Sequence, residues 1–264
     1  MRPKIGAQKV GSVKGKIRSY INIGALLLTL LFNYLSNAIP FNGLTQADLS
    51  ELYFNLFTPA GYVFSIWGVI YLLLTCFAIY QLIPAYRSRP MVEAVGYLFA
   101  VTALFNILWL FTWHYLRPGW AMLIMLLFLV TLILIYISIR KAKRNFRESF
   151  FDWLFVRLPF TLYFAWISVA TIANLNAWLS ALDILGTGVG SVLFTILMIA
   201  AAVLIATWVF SWQHDVAFVL VYVWALNGIG LRHGTDYLLL ALIAWLAVIF
   251  LIFYMLNSLR KRTT

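Results

Sequence analysis

The sequence predicts an all-α integral membrane protein with about eight transmembrane helices. Of its 264 residues, 64% are apolar or aromatic and only 10% are charged, and the mean hydropathy is +0.94. Soluble domains carry about 25% charged residues, so this composition excludes a soluble globular protein. Several apolar runs reach the roughly 20 residues that cross about 30 Å of hydrocarbon. Such runs form helices, because lipid cannot satisfy exposed backbone N–H and C=O groups.

Turn-forming residues divide the apolar sequence into eight runs. Pro40, Pro84 and Pro118 mark three of the breaks, and Gly234 marks another. The seventh run, 216–230, has only 15 residues and is the one most open to a partly re-entrant path. We predict spans at residues 19–39, 59–83, 93–115, 119–139, 155–180, 190–212, 216–230 and 236–257.

The basic residues are distributed unevenly between the two faces that eight alternating spans define. Of the 19 Lys and Arg residues, 17 fall on the face that carries both termini, and only Arg117 and Arg232 fall on the other. Cytoplasmic loops carry such an excess, so we expect both termini inside, in a bacterial cytoplasmic membrane. Anionic lipids at the basic face then account for the net charge of +11, and nucleic acid is not expected as a partner.

Ionisable side chains are missing from the middle of every predicted span. Ion-coupled transporters usually keep a buried Asp, Glu or His. Here the acidic residues fall in loops or at helix ends, and Asp215 is predicted to cap the seventh span. His114 and His233 share one face while His214 lies on the other, so together they cannot ligate one metal ion. We therefore predict neither catalytic residues nor a metal site, and we do not expect an enzyme.

Aromatic and amide side chains remain inside the spans, in three stripes at helical spacing. The 11 Trp, 14 Tyr and 21 Phe residues exceed what the aromatic belts of a membrane protein require. Residues three or four apart share one helix face, so each stripe presents its aromatic rings on one side. The stripes are Phe64, Trp67 and Tyr71; Asn106, Trp109 and Trp113; and Trp166, Ala170, Asn174 and Trp178.

Helix packing is the alternative explanation of these stripes, since small and amide residues commonly join membrane helices. An amide at mid-depth needs a partner, so Asn106 and Asn174 must face protein, a ligand or water. Stacking surfaces with a few hydrogen-bonding groups are what a flat apolar ligand requires, and Ala170 is small enough to leave room between Trp166 and Trp178. We therefore predict an intramembrane pocket formed by these ten residues.

Three segments of the chain combine proline, tryptophan and asparagine in a recognisable order. The first is the proline-led entry at 59–71, and the second joins 106–109 to the turn at 117–121. The third is 163–178, in which Trp, seven residues, Asn, three residues and Trp follow one another. In this order the segments resemble the second to fifth helices of the tryptophan-rich sensory proteins, also called the translocator protein or TspO/MBR family.

The resemblance implies a five-helix bundle that binds porphyrins or other hydrophobic small molecules in a pocket opening opposite the basic face. It implies no covalent cofactor, but a porphyrin or haem-type ligand. The sequence departs from the family at Pro59, which stands alone where the family has two prolines, and at Pro159, which precedes the usual position. Residues 179–183 lack the Tyr and Arg of the sterol-recognition pattern, so sterol binding there is not implied.

We therefore divide the chain into a basic cytoplasmic tail (1–18), a TspO-like bundle (19–185) and a three-helix C-terminal extension (186–264). The expected function is that of a membrane receptor or sensor for a flat hydrophobic ligand. A permease or transporter component for a lipophilic or amphipathic solute is the alternative, and modification of a bound porphyrin by the pocket tryptophans is a third. The expected partners are the bilayer, anionic lipids and the hydrophobic ligand, and a homodimer is left open.

Overall fold

The computed structural model of the protein describes residues 5–53, 55–144, 146–184 and 188–263. Seven helices in these ranges are long and apolar enough to cross a membrane, and an eighth apolar helix has 17 residues. The predicted all-α membrane fold is therefore confirmed. The helices are α1 (Ile5–Ala38), α2 (Gln46–Leu52), α3 (Ile66–Tyr80), α4 (Pro84–Arg87), α5 (Pro90–Val95), α6 (Leu98–His114), α7 (Pro118–Arg144), α8 (Phe150–Asp152), α9 (Leu158–Ala181), α10 (Val189–Gln213), α11 (Val216–His233) and α12 (Leu238–Thr263).

Five of the long helices form a closed ring. α1 contacts α3 and α6, α7 contacts α6 and α9, and α9 contacts α3, so the order around the ring is α1, α3, α9, α7, α6. A 3-10 turn, Gly61–Ser65, leads into α3, and a π-helical turn, Trp153–Arg157, joins α8 to α9. The main apolar core extends from the ring into the C-terminal helices, and α9 is the most deeply buried of the long helices.

Phenylalanine side chains fill the half of the ring nearer the termini. Phe77, Phe99 and Phe160 are buried and meet edge to face, with ring centroids 5.0, 5.5 and 5.9 Å apart. Edge-to-face contacts at these distances are favourable, so they close the ring at this end. The three residues come from α3, α6 and α9, which fixes these helices relative to one another.

The three C-terminal helices pack outside the ring. α10, α11 and α12 contact one another, and α11 lies against α9 and against the 3-10 turn that precedes α3. The approach is close: a Cβ atom on Gly228 would lie 2.2 Å from Val63 Cγ2, and one on Gly230 would lie 2.4 Å from Trp245 Nε1. Glycine is therefore required at both positions for α11 to sit between the ring and α12.

Side-chain contacts place the start of α1 and the end of α12 on the same face. Arg18 Nη2 donates to the Arg87 carbonyl at 2.7 Å, beyond the end of α3. Asp152, at the start of the fifth span, pairs with Arg89 at 2.6 Å. The hydroxyl of Ser211, near the end of α10, lies 2.7 Å from that of Tyr254, near the end of α12. The spans thus alternate in direction, as eight predicted crossings require.

Several predicted boundaries differ from the structure. The third span was predicted to begin at residue 93, but a break at Gly96, with φ of +58°, separates α5 from α6. The seventh continues to His233 and has 18 residues, so it is a continuous helix. α1 begins at Ile5, within the predicted tail. The predicted boundary between bundle and extension, 185/186, lies outside the described residues, as do 1–4 of the tail.

The prediction that the Asp215 side chain caps α11 is wrong. Asp215 occupies the N-cap position, but its side chain makes no capping hydrogen bond. Its carboxylate instead pairs with Arg140 and accepts hydrogen bonds from the hydroxyls of Tyr136 at 3.2 Å and Thr161 at 3.0 Å. Arg140 lies on α7, so this buried ion pair joins the extension to the ring. Such pairing outweighs capping, because a buried carboxylate needs a charged partner.

Candidate functional site

A cavity of about 720 Å³ lies inside the five-helix ring, in the half opposite the termini. α1, α3, α6, α7 and α9 each contribute to its wall, and the segment between α1 and α3 surrounds its mouth. The volume falls within the roughly 300–1,000 Å³ of small-molecule sites. The phenylalanine cluster closes the ring beyond the cavity's inner end.

Eight of the ten predicted site residues line this cavity. They come from three helices and the 3-10 turn that precedes α3, so stripes that are separate in the sequence share one space. Asn106 and Trp178 are the two that do not line it, and the functional role of all ten stays a prediction. The lining members are Phe64, Trp67, Tyr71, Trp109, Trp113, Trp166, Ala170 and Asn174.

Aromatic rings form one continuous corner where α3 meets α9. Trp67 and Tyr71 are stacked, with centroids 5.3 Å apart and planes 20° apart. Trp166 stands perpendicular to Trp67 at 6.2 Å and to Phe64 at 6.0 Å. Trp166 is only 2% exposed, and its indole N–H has no hydrogen-bond partner among the described residues. The corner thus presents flat apolar surfaces in two orientations.

An indole–amide hydrogen bond holds the wall where α6 meets α9. Trp109 Nε1 donates to Asn174 Oδ1 at 2.9 Å, while Asn174 Nδ2 donates back to the Ala170 carbonyl at 2.9 Å. Trp113 stacks on Trp109 with centroids 5.9 Å apart. Asn174 therefore orients an indole, which accounts for an amide at this depth of the membrane.

Asn106 lies directly behind the cavity wall rather than in it. Its Nδ2 donates to the Tyr71 hydroxyl at 3.4 Å, and its Oδ1 accepts from Asn33 Nδ2 at 2.7 Å. This chain links α1, α3 and α6, so Asn106 positions Tyr71 and Asn33, which both line the cavity.

Trp178 lies beyond the cavity, at the turn between α6 and α7. Its Nε1 would lie 3.2 Å from a Cβ atom on Gly119, so the indole packs against the start of α7. Trp178 is 12 residues from Trp166, a distance of about 18 Å along a helix. Ala170 is therefore not a gap between two facing indoles. It belongs instead to a wall of small side chains that includes Val169, Ala173 and Ala177.

Sequence reasoning missed the polar mouth of the cavity. Asn33 and Asn37, four residues apart on α1, line it, and their spacing on one face was a readable signal. The segment between α1 and α3 adds side chains whose arrangement no local periodicity predicts. These are Gln46, Asp48, Ser50, Glu51, Tyr53, Asn55, Thr58 and Pro59.

The two acidic residues at the mouth are both engaged. Thr45 and Asp48 form a reciprocal capping box at the start of α2. Hydrogen bonds from the Thr45 side chain and backbone hold the pKa of the Asp48 carboxyl below its ordinary value. Glu51 pairs with Arg232 at 3.1 Å. Burial raises the pKa of the Tyr53 hydroxyl above its ordinary value.

α11 of the C-terminal extension holds the segment that leads into α3. The Ala60 N–H donates to the Gly228 carbonyl at 3.1 Å, and Trp224 Nε1 donates to the Val63 carbonyl at 3.0 Å. At the end of α11, His233 Nε2 lies 2.8 Å from the Leu56 carbonyl oxygen. The mouth is therefore built jointly by the ring and the extension.

Comparison with known families gives one match. A family model described as "TSPO-like protein" matches residues 19–257, which include six of the eight long helices completely and most of α1 and α12. The extension is thus within the region that the model matches. No significant match was found among curated proteins or solved structures.

Proposed function

The chain belongs to the TSPO-like protein family, and we propose that it is a membrane receptor or sensor that binds a flat hydrophobic ligand of the porphyrin type. The observation that carries the proposal is the cavity. Eight residues that the sequence predicts to stack on a ligand or to form hydrogen bonds with it line this one space. A flat ring system gains dispersion and hydrophobic energy on such surfaces, and the few amides orient it.

The closed inner end of the cavity supports binding over transport. A permease needs a path that reaches both faces, but buried Phe77, Phe99 and Phe160 occupy the ring below Tyr71. Opening such a path requires the three phenyl rings to separate, and the packing contacts between them would be lost. We therefore place transport of a lipophilic solute second.

We also propose that both termini are cytoplasmic and that the mouth opens on the opposite face. The support is the 17-to-2 division of basic residues, which follows the positive-inside pattern. A ligand would then enter from the outer leaflet or the outer aqueous side. Anionic lipids at the inner face are the expected partners of the basic residues.

A thermal-shift screen with porphyrins, bilins and sterols tests the proposed ligand class. Binding to the folded state alone raises the melting temperature, with about 2.7 kcal/mol of stabilisation at 100 times Kd. We expect porphyrins to raise the melting temperature and sterols to leave it unchanged. Energy-independent uptake of porphyrin into sealed proteoliposomes, above that of empty liposomes, would instead favour the permease.

A further inference from the structure

Arg232 departs from the charge distribution of the molecule. It is one of only two basic residues on the face opposite the termini, and it lies in the last turn of α11. Although α11 is outside the ring, Arg232 lines the cavity, and its side chain is only 18% exposed. The extension therefore supplies a largely buried cation at the mouth of an otherwise aromatic site.

The two members of the ion pair at this mouth differ in how firmly they are held. The Arg232 guanidinium donates to Glu51 Oε1 at 3.1 Å and to the Pro59 carbonyl at 3.4 Å. The Glu51 side chain is 68% exposed. Because the Glu51 carboxylate is mostly in solvent, another carboxylate can replace it at little cost, and the Arg232 guanidinium then keeps a carboxylate partner.

We propose that Arg232 is a specificity-determining residue that binds a carboxylate at the edge of the ligand, in exchange for Glu51. This inference rests on the proposed function and deepens it: the ligand is a flat apolar ring system that carries an anionic group. The guanidinium matches a carboxylate in a bidentate geometry, and such charge-assisted bonds are stronger than neutral ones.

The difference in exposure between Arg232 and Glu51 argues against a cationic ligand. A cation would have to take Glu51 or Asp48 as its partner. Taking Glu51 would draw away the carboxylate that pairs with the largely buried Arg232 guanidinium, which is costly. Asp48 already accepts hydrogen bonds from the Thr45 backbone and hydroxyl at 2.8 and 2.7 Å. An anionic group displaces only the exposed member of the pair.

The test compares a porphyrin dicarboxylic acid, protoporphyrin, with its uncharged dimethyl ester. Tryptophan quenching is titrated at low salt in the full chain and in Arg232→Gln, Glu51→Gln and Arg117→Gln. We expect the unmodified chain to bind the acid about tenfold more tightly than the ester, and Arg232→Gln to lose that preference while binding the ester within about twofold. Arg117→Gln changes the other basic residue of this face, which does not line the cavity, and should leave both affinities unchanged.

Glu51→Gln separates ligand exchange from a structural role of the ion pair. If Glu51 competes with the ligand, its removal should tighten acid binding by roughly two- to fivefold and leave the ester unchanged. If the pair only holds the mouth together, Glu51→Gln and Arg232→Gln should weaken acid and ester alike, and the inference would be overturned. Equal binding of acid and ester by the unmodified chain would overturn it and leave the proposed function intact. Failure of both probes to bind would overturn the proposed function as well.

Discussion

At the scale of single residues, Ala170 distinguishes a ligand site from packing. It lines the cavity, whereas Ala165, five residues earlier on α9, is completely buried in the core. The two positions carry the same side chain on the same helix, so the same substitution tests two environments.

We expect Ala170→Leu to weaken porphyrin binding by about tenfold, which is 1.4 kcal/mol, with little change in melting temperature, because the added carbon atoms enter the cavity. Ala165→Leu should instead lower the free energy of unfolding by about 1–3 kcal/mol, because it overfills a packed site. Paired titrations and melting curves in detergent measure both quantities. A destabilised Ala170→Leu variant with unchanged affinity would mean that Ala170 is a packing residue.

The tryptophan corner gives a second residue-scale prediction. Trp166→Phe keeps an apolar ring but loses indole area and the indole N–H. Aromatic contacts contribute about 0.5–1.5 kcal/mol, so we expect a several-fold loss of affinity. Trp178→Phe is the matched control, since Trp178 lies outside the cavity, and it should not change affinity. Equal losses in both variants would contradict the placement of the cavity.

Local periodicity in the sequence predicted the eight site residues that line the cavity, because a helix places every third or fourth side chain on one face. It also included Trp178, which lies beyond the cavity in the structure, because the helix face that carries the stripe continues past the end of the cavity. It also missed Arg232, whose contact with Glu51 spans 181 positions of sequence. No local pattern records such a contact, although the rarity of basic residues on this face was a clue.

At the scale of elements, α11 is attached to the ring at both of its ends. Asp215 pairs with Arg140 at one end, and Arg232 pairs with Glu51 at the other. Between them, Gly228 lies against Val63 of the 3-10 turn. The entry to α3 is therefore shaped by a helix that follows it by more than 150 residues.

We expect Asp215→Asn to lower the free energy of unfolding by about 3–5 kcal/mol, because it leaves Arg140 buried without a counter-charge. The double change Arg140→Gln with Asp215→Asn should recover part of that loss, since it removes the uncompensated cation. Thermal melting of the two single variants and the double variant gives the coupling. Strictly additive effects would show that the two side chains do not interact in solution.

The close approach at Gly228 makes a steric prediction. Gly228→Ala puts a methyl group against Val63 Cγ2, so we expect a loss of about 1–3 kcal/mol in unfolding free energy. Adding Val63→Ala should restore part of it, because the 2.2 Å contact is removed and the nearest remaining atoms are the Pro59 Cβ at 3.2 Å and the Val63 Cβ at 3.5 Å. Gly68→Ala is the control: a Cβ there meets nothing within 4 Å, so it should be neutral or stabilising. No rescue in the double variant would contradict the contact.

At the scale of the whole molecule, hydrophobicity predicts the number of spans, because a backbone that crosses lipid must satisfy its N–H and C=O groups within a helix or a closed barrel. All eight predicted spans correspond to helices of the structure. The helix boundaries were harder to predict. Gly96 interrupts an apolar run without any change in hydropathy. α11 continues past Gly230 because His233, at its polar end, contacts the Leu56 carbonyl at the cavity mouth. The ring order depends on contacts between distant segments, which composition cannot supply.

Topology is the first prediction at this scale. Reporters at Arg147 and after the C-terminus should read as cytoplasmic, and a reporter at Asp48 should read as external. Cysteine accessibility to a membrane-impermeant reagent measures this in intact cells. An external C-terminus would mean that the number of crossings is odd.

The second prediction at this scale is that the five-helix ring works without the C-terminal extension. The ring is closed by its own contacts, so we expect a chain that ends at Ile184 to insert and to bind the porphyrin diester. Without Arg232 it should lose the preference for the dicarboxylic acid. Insertion with loss of all binding would show that the extension is needed for the cavity itself, and would favour the permease.

Photo-crosslinking tests the central claim, that the cavity is the ligand site, most directly. A porphyrin that carries a small diazirine is irradiated with the purified protein, and the labelled peptides are identified by mass spectrometry. We predict labels within 64–71, 109–113 and 166–174, all removed by excess unmodified porphyrin. Labels confined to the exposed apolar surface of α10, at Leu193, Leu204 and Trp208, would contradict the claim, since they would show that the porphyrin only dissolves at the lipid-facing surface.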